Sequence, residues 1–104
     1  MKILLSCYAG MSTSLLMKKM KEHAGELECD LELTAVPLGE IQEHLDGVDA
    51  ILLGPQIRFS KDDVTKMVNG KIPVISIPTQ DYGMMRGAKI LDETIKAVED
   101  FKKQ

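Results

Sequence analysis

Cysteine and histidine are scarce in this 104-residue chain, at two of each, and no apolar run approaches the roughly 20 residues needed to cross a bilayer. The two thiols, Cys7 and Cys29, exclude a disulfide framework. If parallel strands carry them, Cys7 falls at the end of one strand and Cys29 near the start of the next, which separates them by roughly 15 Å and forbids a bridge. Both are expected as reduced thiols, with Cys29 in the core. His23 and His44 stand alone, and no His or Cys pair recurs at the spacing of a metal site, so neither a metal nor a cofactor is expected. Lysine and arginine number 13 against 16 acidic residues, with the signs interspersed and a net charge of −3. That balance argues against nucleic acid or an anionic membrane surface as the main partner, because both reward clustered cations. The chain opens directly on a strand, without a charged leader or a long apolar signal region, so a cytoplasmic protein with no membrane insertion is expected. Repeats, linkers and low-complexity tracts are missing as well, and residues 1–104 are read as one domain.

What the sequence does have is a regular alternation of strand and helix signals. After the apolar Ile3-Leu4-Leu5, the residues Leu15, Leu16, Met20 and Ala24 recur at helical spacing opposite Lys18, Lys19, Lys21 and Glu22, which predicts an inward stripe on a helix stopped by Gly25. Glu28 to Val36 alternates loosely, with Leu31, Leu33 and Ala35 opposed to Asp30, Glu32 and Thr34, as in an edge strand, and Pro37 ends it. A short helical segment is expected from Glu40 to Leu45. Val48 to Leu53 is an almost unbroken apolar run, the pattern of a strand buried on both faces, and it stops at Gly54-Pro55. Ser60 with Asp63 predicts a capping box ahead of an inward stripe of Val64, Met67 and Val68, with Gly70 as the stop. Ile72 to Ile77 is a fourth strand broken by Pro78, and Gly87 to Lys102 a final helix with Ile90, Leu91, Ile95, Val98 and Phe101 inward. The fold class is therefore α/β: an open four-stranded parallel sheet with helices on both faces and strand order 2-1-3-4. Ligands bind such sheets at the carboxyl ends, beside the point where the strand order reverses. Cys7 to Ser14, Gly54 to Phe59 and Thr79 to Met85 should converge there.

The first of these loops carries the chemistry. An apolar strand breaks into small and hydroxyl residues, and a helix begins directly after them, so free backbone N–H groups and the helix dipole face a common centre that favours negative charge. Cys7 stands at its mouth. The anion there is either the Cys7 thiolate or a phosphoryl group handed to it. Ala9 and Gly10 permit close backbone approach, and Ser12, Thr13 and Ser14 offer hydroxyl donors. On the pattern alone, a buried structural cysteine followed by a Ser/Thr helix cap fits as well.

The run Cys7-Tyr8-Ala9-Gly10-Met11-Ser12-Thr13-Ser14-Leu15-Leu16 resembles the phosphorylation loop of the lactose/cellobiose-type enzyme IIB of the bacterial phosphoenolpyruvate-dependent sugar phosphotransferase system. Leu52-Leu53-Gly54-Pro55-Gln56-Ile57 and Tyr82-Gly83 match further segments in the same order, so the likeness covers nearly the whole chain. The resemblance implies a phosphocarrier built as a flavodoxin- or phosphatase-like three-layer sandwich. In it Cys7 accepts a phosphoryl group from a phosphohistidine of the IIA component. It passes the group to a β-linked sugar, such as cellobiose, an oligo-β-glucoside or lactose, bound by the membrane transporter IIC during uptake. Tyr8, Ala9, Gly10, Met11, Ser12, Thr13 and Ser14 are then the phosphate-binding residues.

Low-molecular-weight tyrosine phosphatases are similar in architecture and also put a cysteine after the first strand. Their loop needs an arginine six positions on, where Thr13 stands, and without a bidentate guanidinium the transition-state charge lacks its main clamp. Asp81-Tyr82 falls where those enzymes carry their acid motif, but Asp81 is read first as a turn residue before Gly83. An arsenate reductase of similar fold would need further cysteines near Cys7. A nucleotide- or flavin-binding module would lack both the Walker lysine and the glycine fingerprint. Pro55, Gln56, Asp81, Tyr82 and Gly83 are expected in the site wall or in partner docking, with Gln56 an amide donor and Tyr82 leaning over the loop. Met11, Met84 and Met85 form either an adaptable apolar rim for IIA and IIC in turn or part of the core.

Overall fold

The apolar runs become the strands β1 (Lys2–Ser6), β2 (Glu32–Ala35), β3 (Ala50–Leu53) and β4 (Val74–Ser76), all parallel and in the order β2-β1-β3-β4. The structure is a computed structural model that describes residues 1–7 and 10–103, the side chains of residues 10–12 excepted. The order is the expected one, and β1 and β3 occupy the centre. Successive side chains of a strand point to opposite faces, so the central strands divide their apolar residues between two cores. Ile3, Leu5, Ala50 and Leu52 face one way, onto Leu16, Met20 and Ala24 of α1 (Gly10–Glu26) and Ile90, Leu91 and Val98 of α4 (Gly87–Lys102). Leu4, Ile51 and Leu53 face the other way, onto Ile41, Ile57, and Val64 of α2 (Lys61–Met67). Helices thus cover both faces of the sheet, and each fully buried leucine or isoleucine stabilises the packing by about 1.5–3 kcal/mol.

The last helix spans Gly87–Lys102, as its periodicity predicts. Thr94 joins its inward stripe because its hydroxyl donates to the Ile90 carbonyl at 2.7 Å, which satisfies a buried polar group within the helix. Gly87 is where α4 crosses α1. A Cβ there would lie 2.7 Å from Lys19 Cβ and 2.9 Å from the Met20 nitrogen, so the close approach requires glycine.

Several local expectations are corrected by tertiary structure. Leu15 is 47% exposed, because the inward row of α1 is set by Leu16, Met20 and Ala24. Gly25 lies inside the last turn, and the residue that closes the helix is Glu28 at φ 55°, with the Cys29 N–H donating to the Ala24 carbonyl at 2.8 Å. That turn consumes Glu28 to Asp30, so β2 starts only at Glu32. Cys29 is half-buried at the margin of the core. The helical segment after Pro37 is a 3-10 helix over Leu38–His44. The capping box fails: a 3-10 helix over Pro55–Ser60 runs straight into α2, leaving Ser60 buried with no side-chain cap bond. Gly70, at φ 66°, does stop α2, its N–H donating to the Thr65 carbonyl at 3.0 Å. Between β4 and α4, the expected loop contains a short helix α3 (Thr79–Gly83).

Candidate functional site at the carboxyl end of the sheet

Register places the three loops together. Ser6 pairs with Leu53 across β1 and β3, and the Gly54 N–H donates to the Ser6 carbonyl at 2.8 Å, so Cys7 emerges directly beside Gly54. A Cβ on Gly54 would lie 2.9 Å from Cys7 Sγ. The Ile77 N–H donates to the Leu53 carbonyl at 2.8 Å, which carries the third loop to the same end. Cys7 is half-buried and reduced, and α1 begins three residues after it with no acidic residue in its first turn. The first N–H groups of a helix have no intrahelical partner and carry partial positive charge. Tyr8 and Ala9, and the side chains of Gly10, Met11 and Ser12, lie outside the described residues.

Cys7 borders two clefts. One, of about 330 Å³, is lined with Leu5, Thr13, Ser14, Ala35, Val36 and Pro37. The other, of about 310 Å³, has Pro37, Leu38, Ile57 and Phe59 as its walls, and Phe59 is 79% exposed. The stretch from Ala35 to Leu38 is a part of the site that sequence reading missed. Its signal was the strand order, which puts the end of β2 next to the end of β1. Gly54 was read as a strand stop at the start of a converging loop, and its direct contact with Cys7 follows from the same order. Pro55 opens the 3-10 helix half-buried, and the exposed Gln56 turns its Oε1 toward Gly54. Gly83 and Met84 are exposed at the end of α3, and Met85 packs against the core at φ 53°.

Tyr82 is the innermost element of the third loop, 5% exposed, with its ring in the core. Its hydroxyl lies 3.4 Å from Thr13 Oγ1, a pair in which either oxygen can donate. Burial pushes the phenol above its ordinary range, the Thr13 contact opposes that, and the nearby Cys7 side chain adds to it. Asp81 is not the turn residue expected. It is 1% exposed inside α3, and its Oδ1 accepts from Arg86 Nη1 at 3.0 Å and Lys89 Nζ at 3.1 Å. Burial opposes its charge, but the bonds from Lys89 and Arg86 outweigh burial and hold the carboxyl below its ordinary range.

Elsewhere, His23 pairs with Asp92 at 2.8 Å between α1 and α4. His44, isolated in the sequence, has a ligand atom within 4.8 Å of the carboxylates of Glu40 and Glu43, all three exposed on one 3-10 helix. Among the described residues no helix is long and apolar enough to cross a membrane.

This geometry has counterparts. A family model described as "PTS system, Lactose/Cellobiose specific IIB subunit" matches residues 2–93. The galactose-specific EIIB component of the PTS system of Lactococcus lactis subsp. cremoris is 45% identical over 95 residues, covering 86% of this chain and 88% of that protein. A cellobiose-specific EIIB component from Lactococcus lactis subsp. lactis is 44% identical over the same shares. The solution structure of a cellobiose-specific phosphotransferase IIB component from Borrelia burgdorferi superposes with a TM-score of 0.79 at 38% identity, covering 96% of this chain and 93% of that one. With a cysteine at a helix N-terminus and this fold, the chain belongs to the lactose/cellobiose-specific IIB subunits of the phosphotransferase system, phosphotransferase components that relay a phosphoryl group between IIA and IIC on a cysteine.

Proposed function

We propose that Cys7 is the residue that carries the phosphoryl group, taking it from a phosphohistidine of IIA and giving it to a β-linked sugar bound by IIC. Cellobiose, an oligo-β-glucoside, lactose and a β-mannoside are among the sugars of that class. The observation that supports this most directly is the position of the sulfur, beside Gly54 and ahead of the first turn of α1, at the mouth of an open cleft. Residues 8–14 serve as the phosphate cradle, chiefly through backbone N–H groups, in a protein that works as one domain in the cytoplasm. Pro55, Gln56 and Gly83 serve as the wall against which the partners dock, with the buried Asp81 and Tyr82 supporting the third loop from behind.

A carrier must keep its phosphoryl group until the acceptor arrives, so a group able to protonate a leaving atom or activate water is a liability. The Asp81 carboxyl is held ionised by Lys89 and Arg86, which suits it to bracing α3 and not to acid catalysis. Thr13 takes the place of the phosphatase arginine and is engaged with Tyr82. Both features favour a relay over a hydrolase. The test is a reconstituted chain from phosphorylated IIA through this protein to membranes containing the cognate IIC, offered cellobiose, lactose and an α-linked disaccharide in turn. Label should reach a β-linked sugar in the presence of wild type and not of Cys7→Ala. Sugar phosphorylation sustained by Cys7→Ala, or release of free phosphate at a catalytic rate, contradicts the proposal.

A further inference from the structure

Holding a charged phosphoryl group on Cys7 takes hydrogen-bond donors, and among the described residues neither cleft beside the sulfur is lined by a cationic side chain. Besides Cys7, the polar side chains lining them are Thr13 and Ser14, both on α1. A further neutral donor arrives from a different element. Gln56 Oε1 and Cys7 Sγ stand 2.8 and 2.9 Å from the same point above Gly54, so the two atoms are no farther apart than those lengths combined. That span is within the joint reach of an S-phosphoryl group and one hydrogen bond of about 2.9 Å. The root of the side chain is fixed, because Pro55 opens the 3-10 helix, the Ile57 N–H donates to the Gly54 carbonyl at 3.0 Å, and Ile57 is buried. Only the terminal amide has to turn, about a broad and nearly two-fold torsion, to present Nε2 in place of Oε1. We infer that Gln56 is a phosphate-binding residue of the relay, its side-chain N–H donating to a phosphoryl oxygen on phosphorylated Cys7. This inference deepens the reading of Cys7 as the carrier and rests on it.

In the first exchange a sulfur electron pair of the Cys7 thiolate forms the S–P bond. The N–P bond of a ring-protonated phosphohistidine breaks, its pair stays on nitrogen, and neutral imidazole leaves. Sulfur loses its negative charge, and the charged oxygens of the phosphoryl group arrive beside Gln56. A hydrogen bond to a charged oxygen is about twice as strong as one between neutral groups, so the amide stabilises phosphocysteine. A carboxamide does this without the net positive charge of a guanidinium, which would also clamp the transition state for attack by water. It has no proton to release and no basic atom at neutral pH, so it holds the group without activating water.

The experiment equilibrates phosphorylated IIA with wild type, Gln56→Ala or Gln56→Glu, at dilutions where the two proteins are apart, and reads the phosphoryl partition by intact mass. A residue that only contacts IIA changes the rate of approach to that equilibrium and not the partition itself. Loss of one hydrogen bond in Gln56→Ala should cut the ratio of phosphocysteine to phosphohistidine by about three- to tenfold. Gln56→Glu keeps nearly the same shape but sets a carboxylate against the phosphoryl charge, so its ratio at neutral pH should fall below that of Gln56→Ala. The side chain is exposed, and thermal melts check that both variants fold. In wild type labelled with nitrogen-15, the side-chain amide protons of Gln56 should move downfield on phosphorylation. A Gln56→Ala partition equal to wild type, a Gln56→Glu partition equal to or above that of Gln56→Ala, or an amide resonance that phosphorylation leaves unmoved overturns the role of Gln56 while leaving Cys7 as carrier. A wild-type chain that takes no phosphoryl group on Cys7 overturns the carrier assignment, and this inference with it.

Discussion

The sulfur of Cys7 occupies the space that a side chain on Gly54 would need, 2.9 Å from where its Cβ would sit. Gln56 Oε1, at 2.8 Å, is the end of a flexible side chain and can move, but Cys7 Cβ at 3.3 Å is tied to the end of β1. Gly54→Ala should therefore push the sulfur out of line with the first turn of α1. The expected loss is roughly 100-fold in the rate of phosphorylation by IIA, since a misplacement of about 1 Å has that order of effect. Rapid-quench transfer kinetics check it, with a thermal melt to show that the chain remains folded.

Gly87→Ala is the control for close packing away from the site. Its Cβ would meet Lys19 Cβ at 2.7 Å and the Met20 nitrogen at 2.9 Å, so two helices would have to part. A destabilisation of about 1–3 kcal/mol is expected in urea melts, with the phosphorylation rate per folded molecule unchanged.

These two glycines mark where the sequence stops being readable. Strand order, the buried run ending at Leu53 and the bounds of α4 were all legible, because hydrophobic period and crossover handedness determine them locally. A glycine needed for close approach looks the same in sequence as one that ends a strand. Asp81 was misread for a similar reason: its partners, Arg86 and Lys89, sit five and eight residues on, across a helix break. Ser60 showed the converse failure. A correct capping pattern had no helix start to act on, since Pro55 had already begun the helical path.

Leu52 faces the core shared by α1 and α4 and is fully buried in a central strand. Leu52→Ala leaves a cavity between rigid elements, and about 2–5 kcal/mol of stability should be lost. The urea midpoint measures it.

Asp81 supplies a pH signature. Its carboxyl is held below the ordinary value of 3.8 in the folded chain, so its contribution to stability is complete above about pH 4 and is lost as pH falls through the folded value. Asp81→Asn should lower the melting temperature at pH 7, and the gap from wild type should close as the pH is taken below 4. A gap that persists there means that the ion pairs are not its source.

The central claim concerns a single bond. Wild type, incubated with phosphorylated IIA, trapped and digested under conditions that preserve S–P bonds, should give one phosphopeptide, carrying the group on Cys7 with a phosphorus-31 resonance of a thiophosphate ester. Phosphate mapped to His23 or His44, or a phosphorylated product surviving in Cys7→Ala, would contradict the account.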